Sequence, residues 1–124
     1  MADILVIEDE ELMGELLVAH LRGTGYSVRL RADSASAILA LLEQRPDLVL
    51  LDLALPYLDG LDLLEAVKGD DATRRIPVVV LTARADLASE ERARAAGVND
   101  YLVKPVTREV LLDTVRKQLA AAQA

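Results

Sequence analysis

Asp47–Asp59, DLVLLDLALPYLD, carries four apolar residues, Leu48 to Leu51, that run directly into Asp52. A turn follows, marked by Pro56 and by Asp59-Gly60. An unbroken apolar run bounded by turn residues reads as a strand buried on both faces, the pattern of a parallel sheet. A carboxylate placed where such a strand reaches solvent costs free energy unless something uses it. Taken alone, Asp52 is equally well a solvated acid past a strand end. The polar residues at the ends of the other strands decide between the two readings.

Toward the N-terminus, Ile4 to Ile7 is a second run of this kind, and it ends in Glu8-Asp9-Glu10-Glu11. Leu12, Leu16, Leu17, Ala19 and Leu21 then recur at helical spacing until Gly23-Thr24-Gly25 stops the helix. Gly14 inside that helix marks a close packing contact. Tyr26 to Leu30 alternates apolar and polar, as a strand nearer the sheet edge does. Asp33 or Ser34 caps the next helix, with Ile38, Leu39, Leu41 and Leu42 as its buried face and Pro46 closing it.

Toward the C-terminus, Leu61, Leu64 and Val67 predict a short helix ending near Gly69, and Asp70 to Arg75 is polar loop. Val78 to Leu81 is a fourth apolar strand that ends in Thr82. Asp86 to Ala96 is helical by composition, but Leu87 is its one large aliphatic residue; Gly97 suits its end. Tyr101 to Val103 is a fifth strand, ending in Lys104-Pro105. Thr107 caps a last helix striped by Val110, Leu111, Val115 and Leu119. Five strands alternating with five helices predict an α/β fold, a doubly wound parallel sheet with helices on both faces.

Composition excludes several function classes. The 124 residues suit a single domain over 1–124, and 52% hydrophobic residues supply a core, which without Phe or Trp must be aliphatic. A net charge of −7 argues against direct nucleic-acid binding. The absence of cysteine excludes disulfides and thiolate chemistry. The acidic start MADILVIEDE lacks the basic flank of a signal peptide, and no apolar run is long enough for a membrane span. A cytoplasmic protein without membrane contact is the expectation, with no output domain after the last helix.

In open α/β sheets the ligand site lies beyond the carboxyl ends of the strands. There this chain places Glu8, Asp9, Asp52, Thr82 and Lys104. If the strand order is 2-1-3-4-5, strand one neighbours strand three and Glu8, Asp9 and Asp52 converge. Clustered carboxylates repel unless a cation or protons intervene, and a few hard oxygen ligands suit Mg²⁺. The first strand leads into acids, not a glycine-rich phosphate loop, so the rim is read as a cation site rather than a nucleotide cradle.

VIEDE with Glu8-Asp9, LLDLALP with Asp52, VVVLTA with Thr82, and DYLVKP with Tyr101, Lys104 and Pro105, in this order, resemble the receiver domain of bacterial two-component response regulators across essentially the whole chain. The resemblance implies the flavodoxin-like order 2-1-3-4-5 and a phosphoacceptor switch. It implies that Asp52 takes a phosphoryl group from a histidine kinase, a phosphotransfer protein or a small donor such as acetyl phosphate. Asp9, Asp52 and the Ala54 carbonyl would ligate Mg²⁺, with Glu8 acting through a water. Lys104 and the Thr82 hydroxyl would hold phosphoryl oxygens. Tyr101 would be the switch aromatic, rotating inward as Thr82 moves, and the Lys104-Pro105 bond would be cis.

The partners so implied are a kinase and a downstream protein or output domain, met by helix four, strand five and helix five. Such a domain is a regulator, not an enzyme; it promotes only its own phosphotransfer and autodephosphorylation. A phosphorylation-dependent homodimer stays open, though Asp113 stands near where one subfamily carries a dimer-forming arginine. Ala54, where a larger residue is common, and Arg84 stand at positions that tune phosphoryl lifetime in the family, and Val106 replaces a common Phe. Ala54 and Val106 leave room for a second reading, a pseudo-receiver that binds proteins without phosphorylation. An aspartyl-nucleophile phosphohydrolase of the haloacid-dehalogenase kind needs a second Asp where Ala54 stands.

Overall fold

The computed structural model describes residues 1–123. Strands β1 (Asp3–Ile7), β2 (Ser27–Arg31), β3 (Leu48–Leu51), β4 (Val78–Thr82) and β5 (Asp100–Val103) alternate with helices α1 (Glu11–Gly23), α2 (Ser34–Glu43), α3 (Gly60–Gly69), α4 (Leu87–Ala96) and α5 (Arg108–Gln123). The strands form one parallel sheet in the order β2-β1-β3-β4-β5. The alternation predicts a doubly wound parallel sheet and the resemblance its flavodoxin-like order, and both are observed.

Because side chains alternate along a strand, each strand feeds two cores. Leu5, Ile7, Val49, Leu51, Val78 and Val80 point to the layer of α2, α3 and α4. Ile4, Val6, Leu48, Leu50, Val79 and Leu81 point to the layer of α1 and α5. This two-sided burial is why the strand sequences are continuously apolar.

The helix ends follow local chemistry. Asp33 caps α2 by accepting the Ser36 N–H at 2.8 Å, Asp86 caps α4 through Ser89, and Thr107 accepts the Val110 N–H at the start of α5. Gly97 ends α4 at φ 100°, a left-handed conformation that favours glycine. Gly14 is a close approach as expected: a Cβ there would lie 3.1 Å from the Leu30 side chain.

The buried faces differ from the sequence expectation in places. In α2 the core is made by Ala37, Ala40 and Leu41, while Leu39 and Leu42 are 60% and 77% exposed. The small alanines let the helix lie close to the sheet, which turns the longer leucines outward. Leu12, Leu16 and Val110 are likewise exposed, leaving Leu17, Leu21, Leu111, Val115 and Leu119 to pack. In α4 Ala93 is the buried residue and Leu87 is exposed. Polar ties replace apolar ones there: Arg92 reaches Asp62 at 2.7 Å and Glu65 at 2.6 Å on α3. No helix among the described residues is long and apolar enough to cross a membrane.

Candidate functional site

Strand register builds the site. Ile7 pairs with Leu51, so the next residues, Glu8 and Asp52, leave the sheet side by side; the Asp52 N–H donates to the Ile7 carbonyl at 3.0 Å. On the other side Thr82 pairs with Val103, and the Lys104 N–H donates to the Thr82 carbonyl at 2.8 Å. This is the carboxyl edge, where β1 and β3 send their following chain to opposite faces and open a crevice.

Glu8 and Asp52 are only 3% and 6% exposed. The Lys104 ammonium lies between them, 2.6 Å from Glu8 Oε1 and 2.9 Å from Asp52 Oδ2. The Ala54 N–H donates to Asp52 Oδ1 at 3.1 Å. Asp9 is exposed and completes a group of three carboxylates, each offering an oxygen within 4.8 Å of the others. Removing Lys104 would leave two facing buried acids, a change that costs roughly 3–5 kcal/mol in comparable sites.

The two buried acids titrate in opposite directions. For Asp52, burial opposes the charge, but the Lys104 hydrogen bond, the Ala54 N–H, the Lys104 charge and the Thr82 hydroxyl outweigh it, so the carboxyl is held below its usual range. For Glu8, burial is the largest influence and the Asp52 charge adds to it, so the carboxyl is pushed up despite Lys104. Burial works against the Lys104 charge as well, yet Glu8 and Asp52 together hold its ammonium above the ordinary value. The result is an ionised Asp52 oxygen at neutral pH beside a fixed positive charge. The donor set of three hard oxygens, two of them desolvated, fits Mg²⁺.

Thr82 is fully buried at the end of β4 and its Oγ1 accepts the Arg84 N–H at 3.3 Å. Tyr101 is buried, and its hydroxyl donates to the Arg84 carbonyl at 2.7 Å, so the ring already faces inward. Burial and the nearby Asp86 and Glu90 charges raise the Tyr101 pKa. The Lys104-Pro105 peptide bond is cis.

Glu8, Asp9, Asp52, Ala54, Thr82, Lys104 and Pro105 lie at this edge, and Tyr101, inside β5 opposite Val80, reaches it through its hydroxyl. A further contact was not legible. The Arg84 guanidinium grips Asp59 through two hydrogen bonds, 3.2 and 2.7 Å, joining the β4–α4 loop to the start of α3. Asp59-Gly60 reads in sequence as a turn, and nothing local links it to a residue 25 positions on. Gly60 has a tertiary reason as well: a Cβ there would lie 2.4 Å from Leu53 Cα. Asp113 pairs within its own helix, with Arg116 and Lys117.

The response regulator receiver domain family matches residues 4–116. The chain is 37% identical over 116 residues to the DNA-binding response regulator MtrA of Mycobacterium tuberculosis, covering 94% of this chain and 50% of MtrA. It is 34% identical over 119 residues to the polar-differentiation response regulator DivK of Brucella anthropi, covering 96% of this chain and 97% of DivK. It thus spans about half the length of the first relative and nearly all of the second. Among solved structures, the receiver domain of the sensor histidine kinase PA1611 of Pseudomonas aeruginosa has a magnesium ion coordinated in its active-site cleft; it matches with a TM-score of 0.87 at 35% identity, over 96% of this chain and 98% of that one. Sheet order, the acid–lysine cluster at its carboxyl edge and a family match running almost end to end agree, and the chain belongs to the response regulator receiver domains, the phosphoacceptor switches of two-component signalling.

Proposed function

We propose that Asp52 is the phosphoacceptor, and that a histidine kinase or phosphotransfer protein is its donor. The observation that carries this reading is Lys104 spanning Glu8 and Asp52 within the three-acid cluster. An Asp52 carboxylate oxygen attacks the phosphorus of a phosphohistidine. The P–N bond breaks, its electron pair stays on the imidazole, and an acyl phosphate forms. Lys104 then donates to a phosphoryl oxygen instead of to Asp52, and the Thr82 hydroxyl donates to another. Glu8, Asp9 and Asp52, with the Ala54 carbonyl, would hold Mg²⁺, which when bound supplies further positive charge to the phosphoryl oxygens.

The acyl phosphate is open to water, so the domain clears its own signal and turns over no other substrate. Phosphorylation adds about −1.5 to −2 charge at Asp52, and the donors able to respond sit on the loops after β4 and β5. The surface of α4, β5 and α5 is therefore the output. We place residues 1–124 in one receiver unit, and MtrA and DivK illustrate two lengths of protein in which such a unit occurs. We place the domain in the cytoplasm, where Mg²⁺, acetyl phosphate and histidine kinases are met.

The test is direct. Incubation with acetyl phosphate and Mg²⁺ is expected to add one phosphoryl group by intact mass, an adduct lost in Asp52→Asn and after EDTA. No Asp52-dependent adduct from acetyl phosphate or phosphoramidate would overturn the reading and leave the phosphorylation-independent binding module in its place.

A further inference from the structure

Arg84 ties three parts of the site together. Its N–H donates to Thr82 Oγ1, its carbonyl accepts the Tyr101 hydroxyl, and its guanidinium forks onto both oxygens of Asp59. Asp59 is itself held, because its Oδ1 also accepts the Leu61 N–H at 2.8 Å as the N-cap of α3. Behind it Gly60 rests on the backbone of Asp52 and Leu53. One side-chain pair therefore links the loop that carries Thr82 to the turn that carries Asp52.

Local chemistry gives this link a consequence. A hydroxyl whose oxygen accepts a backbone N–H keeps its own proton for a different acceptor. At Thr82 the Arg84 N–H fills that role, 3.3 Å from Oγ1, and leaves the hydroxyl proton free for the crevice beyond the strand ends. Apolar packing adds little to fix the loop, since α4 buries only Ala93 and is otherwise tied to α3 by the exposed Arg92 pairs. A two-pronged arginine–carboxylate pair is directional enough to serve.

We propose that Arg84, through its pair with Asp59, is a positioning residue that holds the β4–α4 loop with the Arg84 N–H on Thr82 Oγ1 and Tyr101 turned inward before any phosphoryl group arrives. This rests on the phosphoacceptor reading and deepens it. Part of the ordering that phosphorylation would otherwise have to drive is already done, so the acceptor state binds its ligand more tightly and the inward Tyr101 is populated in the resting protein.

Beryllofluoride with Mg²⁺ is the probe, applied to the wild type, Arg84→Ala, Arg84→Lys, Asp59→Asn and the Arg84→Ala/Asp59→Asn double variant. Asn at 59 keeps the cap acceptor and removes the charge, and urea midpoints check that each variant is folded. Arg84→Ala and Asp59→Asn are each expected to weaken beryllofluoride binding and slow acetyl phosphate transfer about two- to fivefold. The double variant is expected to lose no more than either single one. Arg84→Lys, which keeps charge without the fork, falls between. In the ligand-free protein, NMR signals of the Tyr101 ring move toward an exposed environment in Arg84→Ala. Single variants that match a responsive wild type overturn the latch alone. Additive losses overturn it too, because they assign Arg84 a direct action on the phosphoryl group. A wild type without an Asp52-dependent response overturns both readings.

Discussion

Gly60→Ala tests how the turn after β3 holds Asp52. An added Cβ would meet Leu53 Cα at 2.4 Å, the Asp52 carbonyl at 2.8 Å and the Leu53 carbonyl at 2.9 Å, where ordinary contact begins at 3.4 Å. All three atoms are backbone, so no side chain can swing aside, and the turn has to retreat by about 1 Å. The same retreat strains the hydrogen bond from the Gly60 N–H to the Leu53 carbonyl, 2.9 Å long. Overpacking of this kind costs roughly 1–3 kcal/mol and a weakened hydrogen bond about 1 kcal/mol. Replacing glycine by alanine in a helix returns up to about 1 kcal/mol. The net expectation is a loss of roughly 1–3 kcal/mol, or about 4–12 °C in Tm. Because the retreating atoms belong to Asp52 and Leu53, acetyl phosphate transfer falls as well. Gly69→Ala, at the other end of the same helix with nothing within 4 Å of its Cβ position, is the control and is expected to be neutral or stabilising. Urea unfolding followed by circular dichroism reads both. Equal stability of the two variants, with transfer unchanged in Gly60→Ala, would refute the reasoning.

Two further outcomes follow from the polar contacts. The Ser36 N–H holds the Asp33 carboxyl below its ordinary value of 3.8. A depressed carboxyl contributes stability that is present above the unfolded value and lost as pH falls through the folded one. Asp33→Asn keeps the cap acceptor without the charge, so its stability is expected to fall less steeply than wild type as pH drops below 3.8; parallel slopes in urea titrations would count against this role. Arg92 joins α4 to Asp62 and Glu65 in place of apolar packing. Arg92→Ala is expected to speed amide hydrogen exchange in α4 while leaving β1 and β3 unchanged, and added salt narrows the difference by screening the pairs. Identical α4 protection in both proteins would show that these pairs do not hold the helix.

Local pattern made much of this protein legible. Continuous apolar runs at Ile4–Ile7, Leu48–Leu51 and Val78–Leu81 specify strands buried on both faces, since runs this short, ended at once by polar residues, suit a strand rather than a buried helix. Asp33, Thr107 and Gly97 announce helix ends because their chemistry is complete within a few residues. The acids, Thr82 and Lys104 stand out for the same reason, each being polar directly after an apolar run.

What the sequence by itself determined was therefore the order of elements, the parallel sheet and the rim on which the polar residues gather. Tertiary structure alone decided which face of α2 is buried, because Ala37 and Ala40 win that face by close approach to the sheet, which periodicity does not weigh. It alone buried Glu8 and left Asp9 exposed, since only strand register sets which acid faces Asp52 and Lys104. It alone paired Arg84 with Asp59 and turned Tyr101 inward. Those contacts join residues far apart in the chain, and their distances exist only once the strands have taken their places in the sheet.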